Sequence, residues 1–362
     1  MMLGDKTDIY KEPAMSIVTL SFPNVKRKTR SRPSICPYCT GVTFQRWGRV
    51  IKPVKDSHFH SVSVYRYRCC HCLRTFRHYP SGVDRADQTL RLRKLSTILW
   101  VLGMSLRGTC TALSAFGVQL SHMTLWRNLQ EQAHELEKQR HWKPVRVLGI
   151  DGLYPLGKGK KQAVLIAVDL GSGQPVAIGH VNEYDPWAVR RFLEPLVKRL
   201  GVSVIVSDDL ITYHRVTEKL GVEHQVCQFH VRRWVGRTLY QLRETVPKEW
   251  WWVLDEIKVL ITELPPEGSR RLFELWKQIP ERHAVHRKSR SALTQLRDLL
   301  IRLSEYWPSY RVFDWQKDVP WTNNATEQAI GRMKMRSRTV RGYKSWAGMW
   351  AACMLSCAGV TW

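Results

Sequence analysis

The chain has 362 residues, enough for two or three domains and a sizeable core. It carries 57 Lys and Arg against 31 Asp and Glu, a formal charge of +26 with a pI near 10.0, which excludes a polycationic partner and favours a polyanion, nucleic acid first. Nine cysteines, five of them between Cys36 and Cys72, are not spaced like a secreted disulfide framework.

Residues 1–33 read as a basic flexible arm, with Lys26, Arg27, Lys28, Arg30 and Arg32 close together. No charged start followed by an apolar stretch suggests a leader, so a cytoplasmic location is expected. Residues 34–80 form a cysteine module. Cys36-Pro37-Tyr38-Cys39 and Cys69-Cys70-His71-Cys72 are two C-x-x-C knuckles, and each tight turn points two thiolates at one ion. The expectation is a structural Zn²⁺ held by Cys36, Cys39, Cys69 and Cys72, with Cys70 and His71 as other candidates for the fourth ligand. The flanking YRYRCCHCLRTFRHY is basic and aromatic, as a nucleic-acid face would be.

Residues 84–140 read as a helix-turn-helix domain. Leu90–Gly103 is the first helix, Ser105–Phe116 the second, closed by Gly117, and His122–Leu136 the third, capped by Ser121. His122, Thr124 and Arg127 open the third helix, where base-edge contacts are usually made; a plain three-helix bundle would show the same periodicity.

Residues 145–245 with 316–362 read as an α/β domain, interrupted by an all-helical, Trp-rich insertion at 246–315. Apolar runs at Val145–Ile150, Ala163–Leu170, Pro175–Val181 and Val202–Ser207, with a short one at Glu223–Val226, predict strands, and Pro186–Leu200 predicts a helix. Asp151 and Asp208 each follow a strand-like run. By the period-two rule Asp151 shares a side with Val147 and Gly149, and Asp208 with Val206 and Val204. Asp209 competes with Asp208, which strand parity favours; Asp169 precedes Leu170-Gly171-Ser172-Gly173 and reads as a turn residue. Trp250, Trp251 and Trp252 cannot all face one way on a helix, so at least one packs inward. Trp346–Trp362 is apolar over 17 residues, short of the roughly 20 that span a bilayer, and reads as a buried terminal helix.

Glu327 lies in Thr322-Asn323-Asn324-Ala325-Thr326-Glu327, at the head of a predicted basic helix. It is either the glutamate of a capping box or a third metal-binding carboxylate. Ile330/Gly331, Lys334 and Arg338 share its face, and Arg332, Arg336, Arg341 and Lys344 extend a basic surface for DNA. Three carboxylates suit Mg²⁺, which prefers oxygen ligands and keeps positions open for water and phosphate. Two such ions (Mn²⁺ can substitute) about 4 Å apart serve in-line displacement at a phosphodiester.

At VLGIDG, VIVSDD, GVEHQVCQFHVRR and TNNATEQAIGRMKMRSRTVRGYKS the chain resembles a bacterial insertion-sequence transposase with an Asp-Asp-Glu site, and is similar to the Mutator-like group and zinc-ribbon-bearing relatives. The resemblance implies a ribonuclease H-like mixed sheet with an all-helical insertion. It also implies binding to terminal inverted repeats, cleavage at the element's ends, strand transfer into target DNA, and at least a homodimer on double-stranded DNA in a prokaryotic nucleoid. Asp151, Asp208 and Glu327 carry over as metal ligands, and Cys227 and His230 as a supporting motif with a packing role. Asp209 departs from the small residue often found after the second aspartate. A catalytically inactive, transposase-derived DNA-binding regulator and a structure-specific nuclease on the same core are the alternatives.

Overall fold

The computed structural model describes residues 22–29, 31–138, 143–154, 163–280, 291–339, 343 and 345–357. The chain divides into two units, joined at 136/137.

In the first unit, strands β1 (Phe44–Pro53), β2 (Ser61–Cys69) and β3 (Thr75–His78) form an antiparallel sheet in that order. Its inward valines, Val62 and Val64, pack with Val54, Val83 and Val25. The described end of the basic arm is therefore not free: Val25 is buried, and the Lys26 N–H donates to the Ser81 carbonyl at 3.0 Å. Three helices follow, α1 (Leu90–Val101), α2 (Leu106–Ala115) and α3 (His122–Lys138), within two residues of the expected bounds. Thr89 and Ser105 cap the first two through their hydroxyls, and Ser121 accepts from the Thr124 N–H at 3.1 Å. Leu125, Leu129 and Ala133 on α3 are buried, while Leu92, Leu113 and Val118 form a small cluster around α1 and α2.

The second unit holds a five-stranded mixed sheet. β4 (Val147–Leu153), β5 (Ala163–Asp169) and β6 (Gln174–Val181) run antiparallel in sequence. After helix α4 (Pro186–Leu200), β7 (Val204–Ser207) pairs parallel with β4. After α5 (Ile211–Leu220), β8 (Glu223–Val226) pairs parallel with β7. The resulting order is β6-β5-β4-β7-β8. Helices α6 (Gln228–Thr245), α7 (Trp251–Glu263), α8 (Gly268–Gln278), α9 (Ala292–Glu305) and the single turn α10 (Val312–Trp315) come next, then α11 (Asn324–Arg338) and α12 (Trp346–Cys357).

Strand alternation decides which helices cover which face. Leu148, Ile150, Leu165, Ala167 and Ile205 point to the side occupied by Val189 and Leu193 of α4 and Tyr213 and Val216 of α5. Val164, Ile166 and Val168 point to the other side, against Ala329, Ile330 and Met333 of α11 and Met349 and Cys353 of α12. Val147, Val204 and Val206 share this second orientation, packing with Val312 and Val319. The parity of β4 and β7 thus sends Asp151 and Asp208 to the side where α11 lies.

The helical layer begins earlier than residue 246. Val231, Val235, Leu239 and Leu242 of α6 share one core with Val253, Ile257, Leu260, Leu272, Leu296, Leu300 and Trp307. A helix with one apolar stripe must bury it, and α6 does so against α7 and α9. Trp250 and Trp251 pack against this core and Trp252 is exposed. Among the described residues no helix is long and apolar enough to cross a membrane. α12 has Met349, Ala351, Ala352, Cys353, Met354 and Leu355 buried, and the tail beyond Cys357 lies outside the described residues.

Candidate active site and metal centres

In β4 and β7, Val147 is level with Val204 and Gly149 with Val206. Continuing that parallel register by two residues sets Asp151 level with Asp208, on the same side of the sheet. β4 runs to Leu153, so Asp151 sits within a strand, not at its end; Asp208 directly follows β7. Burial raises both carboxyls to about 7 from an ordinary value of 3.8. Next in effect for Asp151 is the charge of Asp208, against which the Gly152 N–H donates to Oδ1 at 2.6 Å. For Asp208 the next causes are the charges of Glu183, Glu327 and Asp209.

Glu327 approaches Asp208 from the first turn of α11. The expected capping box does not form. Asn323 is the N-cap and makes no side-chain cap bond, so Glu327 stands four residues past the cap, one too far for the reciprocal contact. Its Oε1 instead lies 3.1 Å from His230 Nε2, and the same nitrogen is 3.4 Å from Asp208 Oδ1. His230 therefore hydrogen-bonds Glu327, and the Asp208 carboxylate stands close to the same nitrogen without a hydrogen bond to it.

The other half of the C-x-x-H motif pins two helix starts together. Cys227 is buried and its sulfur accepts from the Asn323 N–H at 3.4 Å. The Cys227 sulfur, a His230 nitrogen and a Glu327 oxygen lie within 4.8 Å of one another. Asn323 also donates from Nδ2 to the Ile150 carbonyl at 2.9 Å, tying α11 to β4 beside Asp151. That approach depends on Gly149: a methyl group there would sit 2.2 Å from Thr326 Oγ1 and 2.5 Å from Asn323 Oδ1. Only a residue without Cβ lets the helix close on the strand.

Asp209 faces elsewhere. It is 8% exposed, with His214 Nε2 at 2.8 Å, Arg302 Nη2 at 3.0 Å and the Tyr310 hydroxyl at 3.3 Å. A carboxylate so fully partnered has no face left for a cation, which leaves Asp208 as the acid open to the site. Asp169 is engaged by the Gly171 N–H at 3.0 Å and the Ser172 hydroxyl, the contacts of a turn residue.

Glu183 was not legible in sequence. It is buried, accepts from the Tyr154 and Tyr213 hydroxyls, and its charge raises both Asp151 and Asp208. The only signal was an acid in the Val181–Asp185 connection between a strand and a helix. Gly149 and Asn323 were missed for the same reason, since their roles exist only once α11 meets β4.

The basic helix is split by burial. Arg332, Lys334 and Arg338 are exposed. Arg336 corrects the expectation of a DNA-facing side chain: it is 2% exposed and donates to the Thr339 hydroxyl at 2.8 Å. It falls three residues past Met333, on the stripe that packs on the sheet. Arg341 and Lys344 lie outside the described residues. In the first unit, His122 and Arg127 are exposed and Thr124 is half-buried.

The four knuckle sulfurs, Cys36, Cys39, Cys69 and Cys72, also lie within 4.8 Å of one another. Cys36 and Cys72 are 3.8 Å apart and Cys39 and Cys69 3.6 Å. A tetrahedron with Zn–S arms of about 2.3 Å has edges of roughly 3.8 Å, so the donor set fits zinc. Cys70 and His71 are exposed and outside the cluster. The Cys69 thiol is lowered to about 6, first by the Cys72 backbone N–H.

Residues 185–351 match the model of the transposase IS66 family. The match spans Asp208, Cys227, His230, the helical layer and Glu327, and begins after Asp151. It supports an insertion-sequence transposase, a DNA-processing enzyme, and does not extend to the Mutator-like group. No curated protein gives a significant match.

Proposed function

We propose that this protein is a divalent-metal-dependent DNA transposase that binds the terminal inverted repeats of its element, cleaves at the ends and transfers the strands to target DNA. The observation that carries the reading is the level pairing of Asp151 and Asp208 on neighbouring parallel strands, with Glu327 and Asp208 both beside His230 Nε2. The strand order β6-β5-β4-β7-β8, three antiparallel then two parallel, supports a ribonuclease H-like core.

Asp151, Asp208 and Glu327 would hold Mg²⁺ or Mn²⁺, which would supply Lewis-acid stabilisation of the attacking and leaving oxygens. The chain's own part is to preset the ligands. The Gly152 N–H orients Asp151, and His230 orients Glu327 next to Asp208. Burial keeps Asp151 and Asp208 reluctant to ionise until a cation arrives. Arg332, Lys334 and Arg338 stand on the helix that carries Glu327 and would grip phosphates. The first unit would read sequence through α3, with His122, Thr124 and Arg127 at its head, beside a zinc ribbon held by Cys36, Cys39, Cys69 and Cys72. Its sheet already stacks Arg46 on Tyr65 at 4.1 Å and Arg68 on Trp47 at 4.9 Å, an array suited to a phosphate backbone. Work on two DNA ends implies a homodimer or larger assembly.

The test is end cleavage and strand transfer on oligonucleotides carrying the element's ends, in Mg²⁺ and in Mn²⁺. Asp151→Asn, Asp208→Asn and Glu327→Gln are expected to abolish both reactions and keep end binding. Cutting at the wild-type rate by any one of them removes that residue from the site.

A further inference from the structure

Beside the acids lies a cleft of about 390 Å³ lined by Gln228, Phe229, Arg232, Arg233, Trp321 and Thr322. Its volume falls in the range of pockets that hold small organic groups. Two features set it apart from an ordinary surface hollow. Phe229 and Trp321 are 54% and 51% exposed, although large aromatic rings are usually buried. Each ring also carries a cation, with the Arg232 guanidinium 5.5 Å from the Trp321 centroid and that of Arg233 6.0 Å from the Phe229 centroid. No acidic residue lines the cleft.

Its position is fixed relative to the acids. Phe229 immediately precedes His230, the residue that touches Asp208 and Glu327. Trp321 lies two residues before Asn323, the cap of the Glu327 helix, and its carbonyl accepts from the Gln228 N–H at 2.9 Å. Arg233 also lines the neighbouring cleft that contains Asp208 and His230, together with Arg237 and Arg302. Gln228 is 1% exposed, and its Oε1 has no hydrogen-bond partner among the described residues.

We infer that this cleft binds an unpaired nucleobase next to the scissile phosphate, stacked on Trp321 and Phe229, with Arg232 and Arg233 on its flanking phosphates. Flat apolar faces edged by guanidinium groups match a base and its anionic linkage and match no other part of a duplex, whose bases are already stacked. Opening the end of the duplex would be favoured by the stacking gained here. The inference deepens the DNA reading of the same site and rests on it.

The experiment measures binding alone, in buffer without Mg²⁺ or Mn²⁺, so it does not depend on cleavage. Zinc-loaded full-length protein is titrated into two fluorescent probes: a blunt duplex, and the same duplex with a short non-complementary fork at one end carrying 2-aminopurine. The wild type is expected to prefer the fork by roughly fivefold or more and to change the 2-aminopurine emission. Trp321→Ala and Phe229→Ala are expected to lose both effects while keeping affinity for the blunt duplex. Trp321→Phe is expected to retain most of the preference, as is Trp252→Ala, which removes an exposed tryptophan outside the cleft. Equal affinity of the wild type for the two probes, or a preference untouched by Trp321→Ala and Phe229→Ala, overturns the inference and leaves the transposase reading standing. Failure to bind either probe overturns both.

Discussion

Asp208→Asn should make the metal-free protein more stable at pH 8, an unusual sign for a change at a half-buried site. In the native state Asp151 and Asp208 are each raised from 3.8 to about 7, by burial first and then by neighbouring carboxylates. A native pKa above the unfolded one favours the fold while the group is protonated; that advantage is complete below about pH 4 and is lost as pH rises through 7. At 1.36 kcal/mol per unit, a shift of this size sets an upper bound of about 4 kcal/mol for one acid. Each charge contributes to the other's shift, and the Asp208 side chain is 31% exposed to screening water. Neutralising one acid is therefore expected to return about 1–2 kcal/mol, a rise of a few degrees in melting temperature. The assay is thermal or urea unfolding of zinc-loaded wild type and Asp208→Asn, without Mg²⁺ or Mn²⁺, at pH 5 and pH 8. The variant should gain most at pH 8 and roughly 40% as much at pH 5, where the native acids are protonated but the unfolded ones are already ionised. Adding Mg²⁺ at pH 8 should stabilise the wild type and leave the variant almost unchanged. A variant that is less stable at both pH values would refute the argument, because Asp208 would then be a structural carboxylate.

Gly149→Ala should lower stability by about 1–3 kcal/mol and suppress cleavage, because the new methyl group pushes the start of α11 off β4; a variant with wild-type unfolding and turnover contradicts the close-approach argument. Cys72→Ser should lose zinc by metal analysis while Cys70→Ser retains it, and equal zinc content in the two would break the Cys₄ assignment. Arg338→Ala should weaken DNA binding and shallow its salt dependence by about one phosphate contact, whereas Arg336→Ala should chiefly destabilise the fold. The reverse pattern would mean that the two arginines have been given each other's roles.

Local signals in the sequence were reliable where local physics governs. The helix Pro186–Leu200 was legible to the residue, because Asp185 accepts from the Trp187 N–H, Pro186 sits in its first turn and Gly201 at φ 71° ends it. The cysteine spacing likewise located four sulfurs that do converge. Strand parity put Asp151 and Asp208 on one side, because a period of two survives errors in strand length. It missed that β4 continues past Asp151, since Asp151 and Gly152 break the apolar run that marked its end. Burial against a neighbour was harder to see. Arg336 turns inward because the covered stripe of α11 is set by the sheet beneath it. α6 joined the helical layer because its valines and leucines meet α7 and α9. Asp209 owes its state to His214, Arg302 and Tyr310, and Glu183 to Tyr154 and Tyr213; of these only His214 is near its acid in sequence. No periodicity announces such contacts.

The most direct measurement is anomalous diffraction from crystals of the full chain soaked in Mn²⁺. The account predicts a manganese peak bounded by the carboxylates of Asp151, Asp208 and Glu327, absent from crystals of Glu327→Gln. Manganese bound away from Asp151 and Asp208, or a peak unchanged in that variant, would contradict it.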